Sequence, residues 1–154
     1  MAQRPMGNGM EEYEIGKPLN AFEFTKRLHQ LVPLSKQLGI MATALRNNGE
    51  AESRLPYAAD LVRPGGSISG PAVMALIDVA MFAGVNAYFG WTPMALTANI
   101  NTTFLQPPDL EELIANAKPL RIGRRMAFFE VHVHSSSNQA SIVAHGTGSY
   151  ALPS

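Results

Sequence analysis

The chain has 154 residues, 46% of them hydrophobic, which is enough for one ordinary domain to bury a core without disulfides or a structural metal. Its formal charge is zero at pH 7 and only 16% of its residues are charged, so no electrostatic footprint favours a polyanion such as nucleic acid. Cysteine is absent, which excludes a disulfide framework, a cysteine nucleophile and thiolate zinc sites.

The first stretch, Met1 to Asn20, is rich in Gly, Pro and polar residues and has no basic-then-apolar secretion signal. It predicts a flexible leader over 1–19, a single domain over 20–154 and a cytoplasmic protein. Ala21 to Ser35 places Phe24, Leu28, Leu31 and Val32 at helical spacing with Lys26, Arg27 and Gln30 between them. The period predicts a short amphipathic surface helix with Asn20 as its N-cap. Gly39 to Leu45 and Ser53 to Leu61 flank the turn signal Asn47-Asn48-Gly49 and read as a hairpin.

Pro64-Gly65-Gly66 then breaks the chain before a long apolar run. Proline is tolerated in a first helical turn, so a helix is expected from Pro71 to near Gly90. The run Pro71 to Trp91 is about long enough to span a bilayer. Asp78 argues against that, because an aspartate near the centre of a spanning helix costs roughly 2.5–3.5 kcal/mol and no Lys/Arg flank orients it. A helix apolar all round is better placed inside a globular fold, and no membrane association is expected. Four strand-like runs follow: Met94 to Leu105, Leu113 to Ile122, Met126 to Ser135 and Ser141 to Ala151. Pro107-Pro108-Asp109, Gly123 and Ser136-Ser137-Asn138 punctuate them. Asp109 to Glu112 reads as a solvated turn.

Asp78 is the only formally charged residue from Pro64 through Pro108, about two turns into the helix expected at the core. A carboxylate there either finds hydrogen-bond donors or serves chemistry, and the residue pattern leaves both open. Upstream, Gly65-Gly66-Ser67-Ile68-Ser69-Gly70-Pro71 leads into the helix N-terminus. Free N–H groups and the helix dipole favour negative charge at that point. Gly70 can present an N–H to a substrate oxygen, and Asp78 is expected roughly on the same side of the helix.

The segment from Ser69-Gly70-Pro71 through Ile77-Asp78-Val79-Ala80-Met81, followed by Thr97-Ala98-Asn99-Ile100-Asn101 and Phe104-Leu105-Gln106-Pro107, resembles the phenylacetate-type (PaaI-like) branch of hotdog acyl-CoA thioesterases. The resemblance runs from about Arg63 to Tyr150 and includes Ile122-Gly123-Arg124-Arg125-Met126-Ala127. It implies an α+β hotdog fold, an antiparallel sheet wrapped around one long central helix. It also implies hydrolysis of an acyl-CoA thioester without a cofactor, in a homodimer or homotetramer with the acyl site between subunits. Matched residue by residue, Asp78 falls on the general base or nucleophile, Gly70 on the amide that polarises the thioester carbonyl, and Thr97 near the attacking water. Arg124 or Arg125, at the Gly-Arg junction between strands, suits coenzyme A phosphates because a guanidinium fork matches phosphate. The family's helix start commonly reads His-Gly-Gly. Here Ser69 replaces the His, Pro71 replaces the second Gly, and Arg63 replaces an upstream Asn. Ser69 and Arg63 are thus candidate substrate-binding residues, and Pro71, with no N–H, leaves Gly70 as the oxyanion donor.

Two other function classes fit the same fold. A non-catalytic acyl-CoA binder keeps the pocket without turnover, and a hotdog dehydratase needs an acid-base His, whereas no His lies between Arg63 and Gln106. His132 and His134 alternate on one predicted strand, with His145 on its expected neighbour, so three imidazoles share a face and suffice for a metal. Strand histidines on a solvent or subunit face are the commoner case, and no metal is assigned from the sequence.

Overall fold

A computed structural model describes residues 15–154. Helix α1 (Ala21–Leu31) starts with a capping box: the Asn20 side chain accepts from the Glu23 N–H, and Glu23 reaches back to the Asn20 N–H. The single helix expected to run to Ser35 is divided, because α2 (Pro33–Leu38) begins at a proline. Pro33 has no N–H to continue the ladder and forces Val32 out of the helical region, to φ −124° and ψ 82°. Nor is α1 a surface element throughout, since Phe24 and Leu28 are buried and Phe24 meets Phe82 edge-on at 5.5 Å.

Strands β1 (Met41–Leu45) and β2 (Ala51–Leu55) form the expected hairpin. Its turn closes through the Gly49 N–H to the Arg46 carbonyl at 2.9 Å, with Gly49 at φ 92°. Instead of continuing to Leu61, the second strand stops before Pro56, and Ala59–Leu61 forms a short 3₁₀ turn. Two short strands, β3 (Val62–Arg63) and β4 (Ser67–Ile68), pair around Pro64-Gly65-Gly66 and deliver the chain to α3 (Gly70–Phe89). After it come β5 (Leu96–Phe104), β6 (Leu113–Ile122), β7 (Met126–Ser135) and β8 (Asn138–Ala151). The last begins three residues earlier than expected because Ser135 pairs directly with Asn138, leaving only Ser136 and Ser137 for the turn.

All six longer strands join one antiparallel sheet in the order β1-β2-β6-β7-β8-β5, and α3 touches each of them. Period-two alternation aims Ala115 and Ala117, Phe129, Val131 and Val133, and Ala144 inward, where all are buried. Burial of each large side chain in this layer contributes about 1.5–3 kcal/mol. Helix and sheet approach closely over Gly146 and Gly148: a Cβ at Gly146 would sit 2.9 Å from Ile77 Cγ2, and one at Gly148 2.8 Å from Met81 Sδ. α3 is long and apolar enough to cross a membrane, yet two thirds of that stretch is buried inside the fold. Near its far end the buried Asn86 donates to the Phe82 carbonyl at 2.9 Å and accepts from the Thr92 N–H at 2.7 Å, so its amide is satisfied and ties the following loop to the helix.

The expected leader lies largely outside the described residues. From residue 15 onward it is anchored: the Gly16 N–H donates to Trp91 O at 2.8 Å, the Trp91 N–H donates to Lys17 O at 2.9 Å, and Leu19 packs against the core. At the edge of the sheet away from β1, β5 has β8 as its only strand neighbour among the described residues and exposes Leu96 and Phe104.

Candidate active site

Register carries the site. β5 and β8 pair Thr97 with Tyr150, and the close seat of α3 over Gly146 and Gly148 holds Asp78 against that pair. Thr97 Oγ1 donates to Asp78 Oδ1 at 2.8 Å, and the Tyr150 hydroxyl donates to the same oxygen at 2.5 Å. The tyrosine hydroxyl also lies 3.2 Å from the Asp78 carbonyl oxygen. Among the described residues no donor occupies Oδ2. Asp78 is half-buried rather than enclosed in the core as its apolar helix suggests. It lines a cavity of about 270 Å³ whose walls include Leu28, Val32, Leu38, Val79 and Phe82.

Tyr150 escaped the sequence reading. It is 4% exposed and its ring stacks on Phe82 at 5.8 Å with an interplanar angle of 12°. Burial, and then the neighbouring Asp78 charge, push its hydroxyl well above the ordinary tyrosine range, so it stays a proton donor to the carboxylate. Tyr150→Phe should keep the stacking and lose one of the two donors. A hydrogen bond to a charged group is worth about 1.5–3 kcal/mol, so turnover is expected to fall roughly tenfold or more while KM changes little. The same variant has a signature in stability. In the native wild type the tyrosine titrates above its unfolded value of about 10, so its stabilising contribution is complete below about pH 10 and is lost as pH rises toward the folded value. Urea midpoints on either side of pH 10 should show a smaller alkaline loss in Tyr150→Phe. An equal loss in both proteins would count against the linkage.

The other expected residues lie elsewhere. Gly70 opens α3 and faces Phe104, whose ring would lie 3.4 Å from an added Cβ. With Arg63, Ser67 and Gln106 it lines a separate cavity of about 420 Å³. Asp78 is not part of that cavity: both residues face β5, on one side of the helix as expected, but within a single chain they do not meet. Eight residues of helix separate them by about 12 Å, and their partners Phe104 and Thr97 stand at opposite ends of β5. Ser69 holds the N-cap position without a side-chain cap, and its carbonyl accepts from the Val73 N–H at 3.2 Å. Arg124 and Arg125 are exposed in the β6–β7 turn. Met126, Ala151 and Leu96 pair across the sheet beside them, at the Asp78 end.

A six-stranded antiparallel sheet wrapped around one long helix, with a half-buried carboxylate at the helix–sheet junction, defines a hotdog-fold protein. The family model of the thioesterase superfamily matches residues 65–142, half of the chain. The chain belongs to that superfamily and is a thioester hydrolase. A Thermoplasma acidophilum protein provisionally named an esterase is 29% identical over 101 residues, 66% of this chain and 76% of that protein. A Silicibacter structure provisionally named a thioesterase is 28% identical with a TM-score of 0.77, covering 92% of this chain and 95% of its own. A variant of the phenylacetic acid degradation protein PaaI from Thermus thermophilus is 25% identical with a TM-score of 0.68, covering 79% and 99%.

Proposed function

We propose that the protein hydrolyses acyl-coenzyme A thioesters with Asp78 as general base. The observation that carries this reading is the Asp78 carboxylate, fixed through Oδ1 by Thr97 and Tyr150 at the wall of an apolar cavity. The two hydroxyls set the plane of the carboxyl group and leave Oδ2 to take a proton from water. That water adds to the thioester carbonyl carbon, the developing oxyanion rests on the Gly70 N–H, and the C–S bond then breaks. Coenzyme A leaves as the thiol with the proton Asp78 had taken, and the acid is released. The cavity beside Asp78 is the acyl seat, and its apolar walls suit aromatic and aliphatic groups. No cofactor enters this scheme.

The Gly70 amide in this scheme comes from a second copy of the chain. β5 is a nine-residue edge strand with exposed apolar side chains, a surface that pairs with another strand unless it is blunted. Antiparallel pairing of two β5 strands about a two-fold axis between Ile100 and Asn101 sets Thr97 opposite the partner subunit's Phe104. The Gly70 end of one protomer then meets the Asp78 end of the other. The same pairing gathers Arg63 from one chain with Arg124 and Arg125 from the other, cations for the coenzyme A phosphates. A tetramer is two such dimers.

The test is thiol release across a panel of aromatic, short-chain and medium-chain acyl-CoAs without added metal. Turnover of at least one class is expected. Tight acyl-CoA binding with no thiol released from any of them would overturn the hydrolase scheme in favour of a binding protein.

A further inference from the structure

Alternation along β7 sends Phe129, Val131 and Val133 into the core and leaves Glu130 and His132 on the opposite face of the sheet. The β7–β8 register sets His132 directly opposite His145. The imidazole Nε2 atoms of both histidines lie 2.9 Å from one carboxylate oxygen, Glu130 Oε1. The three candidate ligand atoms fall within 4.8 Å of one another. His134, grouped with these histidines by the sequence pattern, is not among them. The register slips between Val133 and His134, and the ring is buried with Nδ1 at 2.9 Å from Ser135 O and Nε2 at 3.2 Å from Asn116 Nδ2.

We infer that Glu130, His132 and His145 form a Zn²⁺ site on the sheet face opposite α3. Zinc takes imidazole nitrogen at about 2.0–2.1 Å and carboxylate oxygen at about 2.0–2.2 Å, so a tetrahedral ion holds its donors roughly 3.3–3.5 Å apart. The two nitrogen–oxygen separations, 2.9 Å each, have to open by about half an ångström for the ion to replace the hydrogen bonds, a movement that rotation of the two half-exposed rings supplies. Their side chains are 33% to 45% exposed, which gives the ion a path in and leaves a fourth position for water. The Nδ1 atoms of His132 and His145 make no hydrogen bond with the described residues. A neutral ring can therefore move its proton from Nε2 to Nδ1 as the metal takes Nε2, and an imidazolium releases one proton to solvent. Lys118 stands opposite Glu130 in register and is an opposing charge. On the wall of the adjoining cavity of about 230 Å³, Glu50 is paired with Arg46 and Glu52 with Arg54, both at 3.1 Å, so these side chains largely balance one another.

The bound ion would clip β7 to β8 from outside. Tyr150 and Asp78 lie beyond the sheet on its other face, so hydrolysis does not depend on the metal. Untagged protein should take up one Zn²⁺ per chain in equilibrium dialysis. Co²⁺ in its place should show the visible bands of a tetrahedral site with nitrogen and oxygen ligands. Because the ion binds the native state, saturating Zn²⁺ should also raise Tm. H132Q/H145Q should weaken uptake by about tenfold or more and abolish the Tm rise, with E130Q intermediate and thiol release unaffected by chelator throughout. Stoichiometric uptake surviving in H132Q/H145Q, or wild-type protein that neither takes up Zn²⁺ nor develops the Co²⁺ bands, would overturn the site whatever the fate of the hydrolase scheme.

Discussion

Replacing Asp78 by asparagine is expected to lower the turnover number by roughly a hundredfold or more, the scale of a lost general base. The amide keeps the shape of the carboxyl group, and its oxygen still accepts from Thr97 and Tyr150, which donate to Oδ1 in the wild type. What it lacks is a second oxygen able to take a proton from water. KM should therefore move far less than turnover, since the walls of the apolar cavity are unchanged. Thr97→Ala, which leaves the tyrosine donor in place, should cost less. Ser69→Ala should cost least, because Ser69 makes no side-chain cap on the helix. All three need to be measured on the best substrate of the acyl-CoA panel, with far-UV circular dichroism and sedimentation confirming fold and assembly. Near-normal turnover in Asp78→Asn would leave Asp78 a structural carboxylate held by two hydroxyls.

Mixing two inactive variants should restore activity. Gly70→Pro occupies the first helical position, where proline is tolerated, and removes the N–H assigned to the oxyanion; its ring comes up against Phe104, so circular dichroism and sedimentation must show that the variant folds and assembles. Alone it is inactive for want of that donor, as Asp78→Asn is for want of a base. In a dimer that joins them, one of the two composite sites draws its amide from the Asp78→Asn chain and its carboxylate from the Gly70→Pro chain, and is intact. Random re-association makes half of the dimers mixed, each with one working site of two. The mixture should then recover about one quarter of wild-type activity. If both groups acted within one chain, recovery would be nil, so unfolding the variants separately, refolding them together and assaying thiol release decides between the arrangements.

Much of this fold was legible because its signals are local. Proline and glycine mark the start and stop of α3, and strand-like runs bounded by turn residues mark β6 and β7, which fall on the expected residues. Where a single residue overrides the periodicity the reading slipped: Pro33 divides the first helix, and Pro56 ends β2 early. The site was legible only in part, for the same reason in reverse. Asp78 is conspicuous as a lone charge in an apolar run, and Thr97 was reached through the family resemblance. Tyr150, by contrast, joins them through a strand pairing between distant parts of the chain, and an aromatic at the end of a strand carries no mark of that. Helical spacing placed Gly70 and Asp78 on related faces but says nothing of which cavity each face meets. Glu130 stands two residues before His132 on the same face, so alternation contained that signal, while the bulge that removes His134 was invisible to it.

The cavity beside Asp78 has walls of two kinds. Its floor is α3 and the end of β8, locked together over two glycines. Its far side is α2, six residues long, begun by a proline and closed by Gly39 in the left-handed region at φ 72°. A helix so short has little cohesion of its own and rests on the few apolar side chains it contributes. Substitutions at Leu34, Ser35 or Leu38 can thus reshape the room for the acyl group without disturbing the carboxylate and its two hydroxyls. Over evolutionary time such a fold is free to drift in diet while its chemistry stands still.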